Sequence, residues 1–179
     1  MKKTLMVLLV LAIAMGSVFA TDPTLVLTTT KTGETTCGFS SNLIDSFTTN
    51  PTAYAAETAY GNLTNEAPAY AWLKSNENKL VTYSVKSTGF VSATVGSKIG
   101  YSINVKGIGV NDYAAVTVAS TATAQVLASG TLPKVTGGSA VAFGKSVALG
   151  AVTLDATDNA NAVTATDYKA TITWTVSAS

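Results

Sequence analysis

The sequence predicts an all-β chain, an antiparallel β-sandwich of Ig-like kind that follows an N-terminal signal peptide. Three observations carry this expectation. Apolar residues recur at every second position through much of the second half, the signature of strands with one buried and one wet face. Gly, Pro, Asn and Asp interrupt these runs every ~8–12 residues, as the turns of a sandwich or barrel do. Thr, Ala and Ser supply 29, 27 and 16 of the 179 residues, whereas charged residues make up 12%. That is about half the ~25% of an average globular chain. Hydroxyl groups must therefore cover much of the surface, and Thr in particular suits an exposed strand.

The clearest strands alternate along their whole length. In Lys79–Lys86, Val81, Tyr83 and Val85 face one way and Leu80, Thr82 and Ser84 the other. In Lys98–Lys106, Ile99, Tyr101, Ile103 and Val105 oppose Lys98, Ser102, Asn104 and Lys106. Tyr113–Val118 and Ala122–Ala128 read as two further strands, and Gly130, Pro133, Gly137 and Gly138 as turns. Ser139–Phe143 and Ser146–Leu154 read as short strands divided at Gly144, and Asp155–Asn161 as a polar loop. The last strand, Tyr168–Ser177, places Tyr168, Ala170, Ile172, Trp174 and Val176 on one face, with Trp174 expected to be buried. In the first half, Thr24–Thr30 reads as a strand and Ala53–Ala59 as a short helix or turn. A transmembrane barrel also alternates, but it gathers aromatic residues into girdles at strand ends. The 14 aromatic residues here are spread along the chain.

Residues 1–20 read as an export signal. Met1-Lys2-Lys3 is positive, Leu5–Met15 is an unbroken run of eleven apolar residues, and the small Val18 and Ala20 place the cut after Ala20. A membrane-spanning helix needs ~20 apolar residues, so the run is too short to be an anchor. The start has a bacterial character, which places the product in the periplasm, at the cell surface or outside the cell. Residues 21–179 then form one domain, with nine Lys against ten acidic residues.

The composition excludes several chemistries. All 11 basic residues are Lys, and the chain contains neither His nor Arg. Without His there is no imidazole base and no Ser-His-Asp or Cys-His arrangement. With one Cys and no His, no zinc site of nitrogen and sulfur ligands forms within the chain. Scattered Lys against a nearly equal number of acids leaves no footprint for nucleic acid. The expectation is a protein with no catalytic residues, cofactor or metal, and no insertion into membranes.

Four groups of residues invite a functional reading. Cys37, alone in the chain, reads as a buried small hydrophobe, with an intermolecular disulfide or a reactive thiol as alternatives. Asp155, Asp158, Asn159 and Asn161 cluster oxygen atoms as calcium requires, although the spacing is not that of an EF-hand and polar turns have the same composition. Glu57 with Glu66, or Asp155 with Asp158, would be the carboxylate pairs available to a glycoside hydrolase, with ordinary surface charge as the simpler reading. Tyr54, Tyr60, Tyr70 and Trp72 offer an aromatic platform for sugar rings, or core packing.

Two segments resemble known proteins. Leu73-Lys74-Ser75-Asn76-Glu77-Asn78-Lys79-Leu80-Val81-Thr82-Tyr83-Ser84-Val85 is similar to a turn-and-strand unit of bacterial surface β-sandwiches. Asp167-Tyr168-Lys169-Ala170-Thr171-Ile172-Thr173-Trp174-Thr175-Val176 resembles the last strand of fimbrial-subunit-like and WxL-type cell-surface domains. The resemblance implies a secreted surface or appendage protein. The expected function is thus a non-catalytic structural or adhesive subunit (fimbrial or pilin-like), with a surface protein or glycan as partner. A carbohydrate-binding module is the alternative. Sheet edges invite pairing unless Lys, Pro or a bulge guards them. Tyr168–Ser177 has only Lys169, and Thr24–Thr30 has only the preceding Pro23, so self-association through terminal strands is expected.

Overall fold

The computed structural model describes residues 34–179 except 47, 56, 109 and 135–142. The signal segment, the strand expected at Thr24–Thr30 and most of that expected at Ser139–Phe143 lie outside the described residues. The remainder is an antiparallel β-sandwich. Its strands are β1 (Thr35–Ser40), β2 (Ala69–Ser75), β3 (Val81–Ser87), β4 (Phe90–Ser92), β5 (Lys98–Ile99), β6 (Tyr101–Lys106), β7 (Ala114–Val118), β8 (Gln125–Leu132), β9 (Phe143–Leu154), β10 (Tyr168–Lys169) and β11 (Ile172–Ala178). One sheet has the order β1-β2-β9-β6-β7; the others are β11-β3-β8 and β10-β4-β5. Every pairing is antiparallel.

The alternation read from the sequence becomes the core. Val81, Tyr83 and Val85 of β3 are buried, as are Ile99, Tyr101, Ile103 and Val105 of β5 and β6. All of these except Ile99 meet Ala71 and Leu73 of β2, Val147 and Leu149 of β9, Val118 of β7, and Leu127 and Leu132 of β8 in one cluster.

Glycine explains where the expected boundaries shift. Lys98–Lys106 is not one strand, because the chain turns at Gly100 and changes sheets. The Gly100 N–H donates to Asp158 Oδ2 at 2.9 Å and its carbonyl accepts from the Asp155 N–H at 2.8 Å. A Cβ there would stand 2.9 Å from Asp158 Oδ2 and 3.1 Å from the Val118 carbonyl oxygen, so a side chain at this corner would press on the bond that holds it. Conversely, Gly130 and Gly144 lie inside strands, where turns were expected. Gly130 pairs with Tyr83, whose hydroxyl would lie 2.7 Å from an added Cβ. Gly38 pairs with Trp72 in the same manner, at 2.9 Å. In both pairs an aromatic side chain covers the bare backbone of the strand beside it. Gly144 leaves room for the backbone of Ser46, 2.6 Å from where its Cβ would be, and β9 runs through it.

Asp155–Asn161 is not a loop. Ala156–Asn161 is a short helix, α1, with Asp155 as N-cap accepting the Asp158 N–H at 2.9 Å. Among the described residues of Ala53–Ala59 there is no helix; the nearest helical turn is Tyr60–Asn62.

The expected final strand is two. At Ala170–Thr171 the chain leaves β10 and enters β11, while its neighbour breaks between β3 and β4; Thr88 N–H to Thr171 O at 3.1 Å spans the joint. β11 pairs with β3 of its own chain from Ile172 to Ala178. Trp174 is half-buried rather than buried, since β11 is the last strand of its sheet. Its ring tilts against Tyr83 at 5.7 Å and its Nε1–H donates to Gly38 O at 3.2 Å. Those contacts tie β11 to β1 across the two layers.

Candidate functional site

A cleft of about 630 Å³ opens between the layers, lined by residues from β1, β2, β4, β6, β9, β10 and β11 and by Tyr54, Ala55, residues 57–60 and Leu63. Its floor is the core face of the larger sheet, Ala69, Ile103 and Leu149, joined by Leu63 from the Tyr60–Asn62 turn, all buried. One wall is a run of aromatic rings. Tyr60 meets Phe90 edge-on at 5.8 Å, and Phe90 tilts against Tyr101 at 5.1 Å. The Tyr101 hydroxyl is 2.6 Å from Ser87 Oγ in a buried bond, and burial pushes its pKa up, so the phenol stays protonated.

Backbone bonds hold the segment around the cleft. Ser41 N–H donates to Thr52 O at 2.9 Å, Tyr54 N–H to Phe39 O at 3.4 Å, and Thr52 N–H to Asn42 Oδ1 at 2.6 Å. These bonds set Tyr54 beside Phe39, and both line the cleft. At the rim, Lys169 Nζ donates to Glu57 Oε1 at 2.6 Å, with both side chains exposed. Their bond holds the Glu57 carboxyl below, and the Lys169 ammonium above, its ordinary range.

The four aromatic residues singled out in the sequence do not form one platform. Tyr54 and Tyr60 line the cleft. Tyr70 and Trp72 alternate with the buried Ala71 and Leu73, so they lie on the outer face of β2. Tyr113, which sequence reasoning did not single out, stands near Tyr70. Burial first, then the neighbouring Tyr70 and Glu66, raise its phenol pKa. Its hydroxyl donates to Asn65 O at 3.2 Å, and Lys106 Nζ sits 5.1 Å from the ring centre. Asn65 Oδ1 accepts from Asn104 Nδ2 at 3.2 Å and from Ala151 N–H at 3.1 Å. Lys74 Nζ lies 5.9 Å from the Trp72 ring and donates to Thr49 O.

The carboxylate pairs are not assembled. Glu57 is bonded to Lys169, and Glu66 is exposed beside Tyr113. Asp155 caps α1 and Asp158 holds the Gly100 corner, so these oxygens serve the fold. Among the described residues no three His, Cys, Asp or Glu gather as metal ligands.

Cys37 is exposed, contrary to expectation. It does sit on the core side of β1, opposite the fully buried Leu73, but β1 is an edge strand and the smaller sheets do not cover it there. Partial desolvation still raises its pKa.

Asp167 was also missed. Its carboxylate accepts from Ser92 Oγ at 2.5 Å, Thr94 Oγ1 at 2.8 Å and Thr94 N–H at 2.9 Å, which lowers its pKa to about 2. It ties the β4–β5 hairpin to the start of β10.

Compared with known proteins, the chain matches no family model, no curated protein and no solved structure. Fold and site define its class: an antiparallel β-sandwich with an aromatic-walled cleft between its layers. Among the described residues no helix is long and apolar enough to cross a membrane.

Proposed function

We propose that this chain is a non-catalytic, exported surface protein, a structural or adhesive subunit that associates with further copies by strand addition. The observation that carries this reading is a pair of unguarded edges. Among the described residues β7 pairs only with β6, and β8 only with β3. β7 reads Ala-Ala-Val-Thr-Val and β8 Gln-Val-Leu-Ala-Ser-Gly-Thr-Leu, with no charge and no Pro in either. β8 is irregular at the Val85/Lys86 register shift, but Ala128–Leu132 pairs regularly beyond it. Edges without Lys, Pro or a bulge recruit strands from other chains. The charged start and apolar run of residues 1–20 support export.

Sedimentation of Thr21–Ser179 over a range of concentrations tests the reading. Self-association is expected, and Lys at the exposed Ala115 and Ser129 should abolish it without loss of fold. A wild-type chain that stays monomeric, or Lys variants that assemble unchanged, would refute it. Deleting Thr21–Thr30 tells whether that segment is the added strand.

A carbohydrate-binding module is the second reading, favoured by Tyr70, Trp72 and Tyr113 near Asn65, Asn104 and Lys106. It requires glycan binding that Trp72→Ala removes.

A further inference from the structure

We propose that the interlayer cleft binds an uncharged, largely apolar small molecule that carries a ring system. The cleft of about 630 Å³ opens to solvent between the layers, and its deep side is core-facing apolar surface. That volume is within the range of small-molecule sites.

The lining decides the chemistry. Leu63, Ala69, Ile103 and Leu149 form the floor and their side chains offer no hydrogen bond. A sugar would lose water from the hydroxyls turned to this floor without regaining partners there, and the lining's hydroxyls, on Tyr54, Thr58, Tyr60, Tyr168 and Thr171, serve only the other side. The wall of Tyr60, Phe90 and Tyr101 offers ring edges and faces, and the Tyr101 hydroxyl is already engaged by Ser87. Rings stack offset or edge-on against such surfaces. Charge is disfavoured for a separate reason. The lining contains two charged side chains, Glu57 and Lys169, and they are bonded to each other at the rim. A charged ligand would either enter the apolar floor unpaired or have to break that bond. This site is independent of the β7 and β8 edges, so either proposal stands if the other fails.

Two dyes of one ring skeleton test it: neutral N-phenyl-1-naphthylamine and anionic 8-anilinonaphthalene-1-sulfonate. Fluorescence titration of Thr21–Ser179 should show saturable binding of the neutral dye, one per chain. The sulfonate should bind about tenfold more weakly or less. Ala170→Trp, in the link between β10 and β11, should abolish binding with the thermal transition retained. Ala69→Leu, which fills the floor, serves as a second blocking variant. Non-saturable binding, equal affinity for the two dyes, or affinity unchanged in both folded variants would overturn the proposal. So would neutral-dye binding that appears only after removal of Thr21–Gly33, since the chain's own segment would then take the space.

Discussion

The two flanks of the sandwich are closed in different ways. On the β7/β8 flank the core runs to the end. Val118 is fully buried, and Leu127 and Leu132 are nearly so. Beyond it, Gln125 spans the turn, donating from Nε2 to Ala119 O at 3.3 Å and accepting the Ala119 N–H at 3.2 Å. The core face is sealed there, although Val126 on the outer face of β8 is exposed, while backbone edges stay open. On the β1/β11 flank the reverse holds. Trp174 and the 52–54 segment occupy the edge of β1, yet Cys37 on its core side is exposed and the cleft lies between the layers. Closing a layer and closing an edge are thus separate problems. The first concerns apolar surface, the second backbone hydrogen bonds, and the β1/β11 flank meets the second only at β1, since β11 pairs with β3 alone among the described residues.

Breaking the Trp174 bridge should have the largest effect. Trp174→Ala should cost about 3 kcal/mol in chemical denaturation, the low end for truncating a packed aromatic residue, because its ring is half-buried. Trp174→Phe keeps most of the packing and should lose only about 1 kcal/mol, the worth of the bond to Gly38. Equal losses in the two variants would mean that the hydrogen bond, not the ring, joins the layers. On the other flank Gln125→Ala should cost about 1 kcal/mol or less, since its two bonds are exposed and neutral. A larger loss would make the β7–β8 turn as important as the tryptophan.

Acid should act on the β4–β10 end. The Asp167 carboxyl titrates near 2 in the folded chain, below its ordinary 3.8. The stability it adds is complete above the higher value and disappears as pH falls toward the lower one. The Thr94 amide should therefore exchange faster with solvent as pH drops from about 4 to 2, after correction for intrinsic rates. Asp167→Asn should flatten that profile.

Cys37 is the smallest probe and touches stability least. A thiol reagent should label it completely in the native state. The rate should rise with pH to a plateau later than that of a free thiol, because its pKa is raised. Protection from labelling would show that the core side of β1 is covered after all.

Much of this architecture was legible in the residues. Period-two patterns located β3, β5 with β6, and β11 because one face of each is buried, and a pleat alternates strictly. Glycine was the ambiguous letter. Gly100 and Gly130 look alike in sequence, yet one turns a corner between sheets and the other lies under Tyr83. The difference depends on which residue the fold brings beside the missing Cβ. Asp155–Asn161 misled because Asp and Asn favour turns and helix N-caps for the same hydrogen-bonding reason. Half of the cleft was visible as Tyr54 and Tyr60. Phe90, Tyr101 and Tyr168 join them only through pairings between distant strands, and no local pattern encodes those.

The described chain begins and ends at one pole of the sandwich. Glu34 N–H is held by Asn76 Oδ1 at 2.5 Å, and Ser179 exchanges two backbone bonds with Leu80, at 3.0 and 3.1 Å. β1 and β11 are both edge strands that run between this pole and the other. Tension applied between Glu34 and Ser179 would therefore load the ladder of β11 on β3 from its Ala178 end. The bonds would part in succession, as in a zipper, instead of sharing the load in shear. Under force the molecule would yield first by peeling at Leu80 and Ser179, while the Gly100 corner and the centre of the larger sheet remained unloaded.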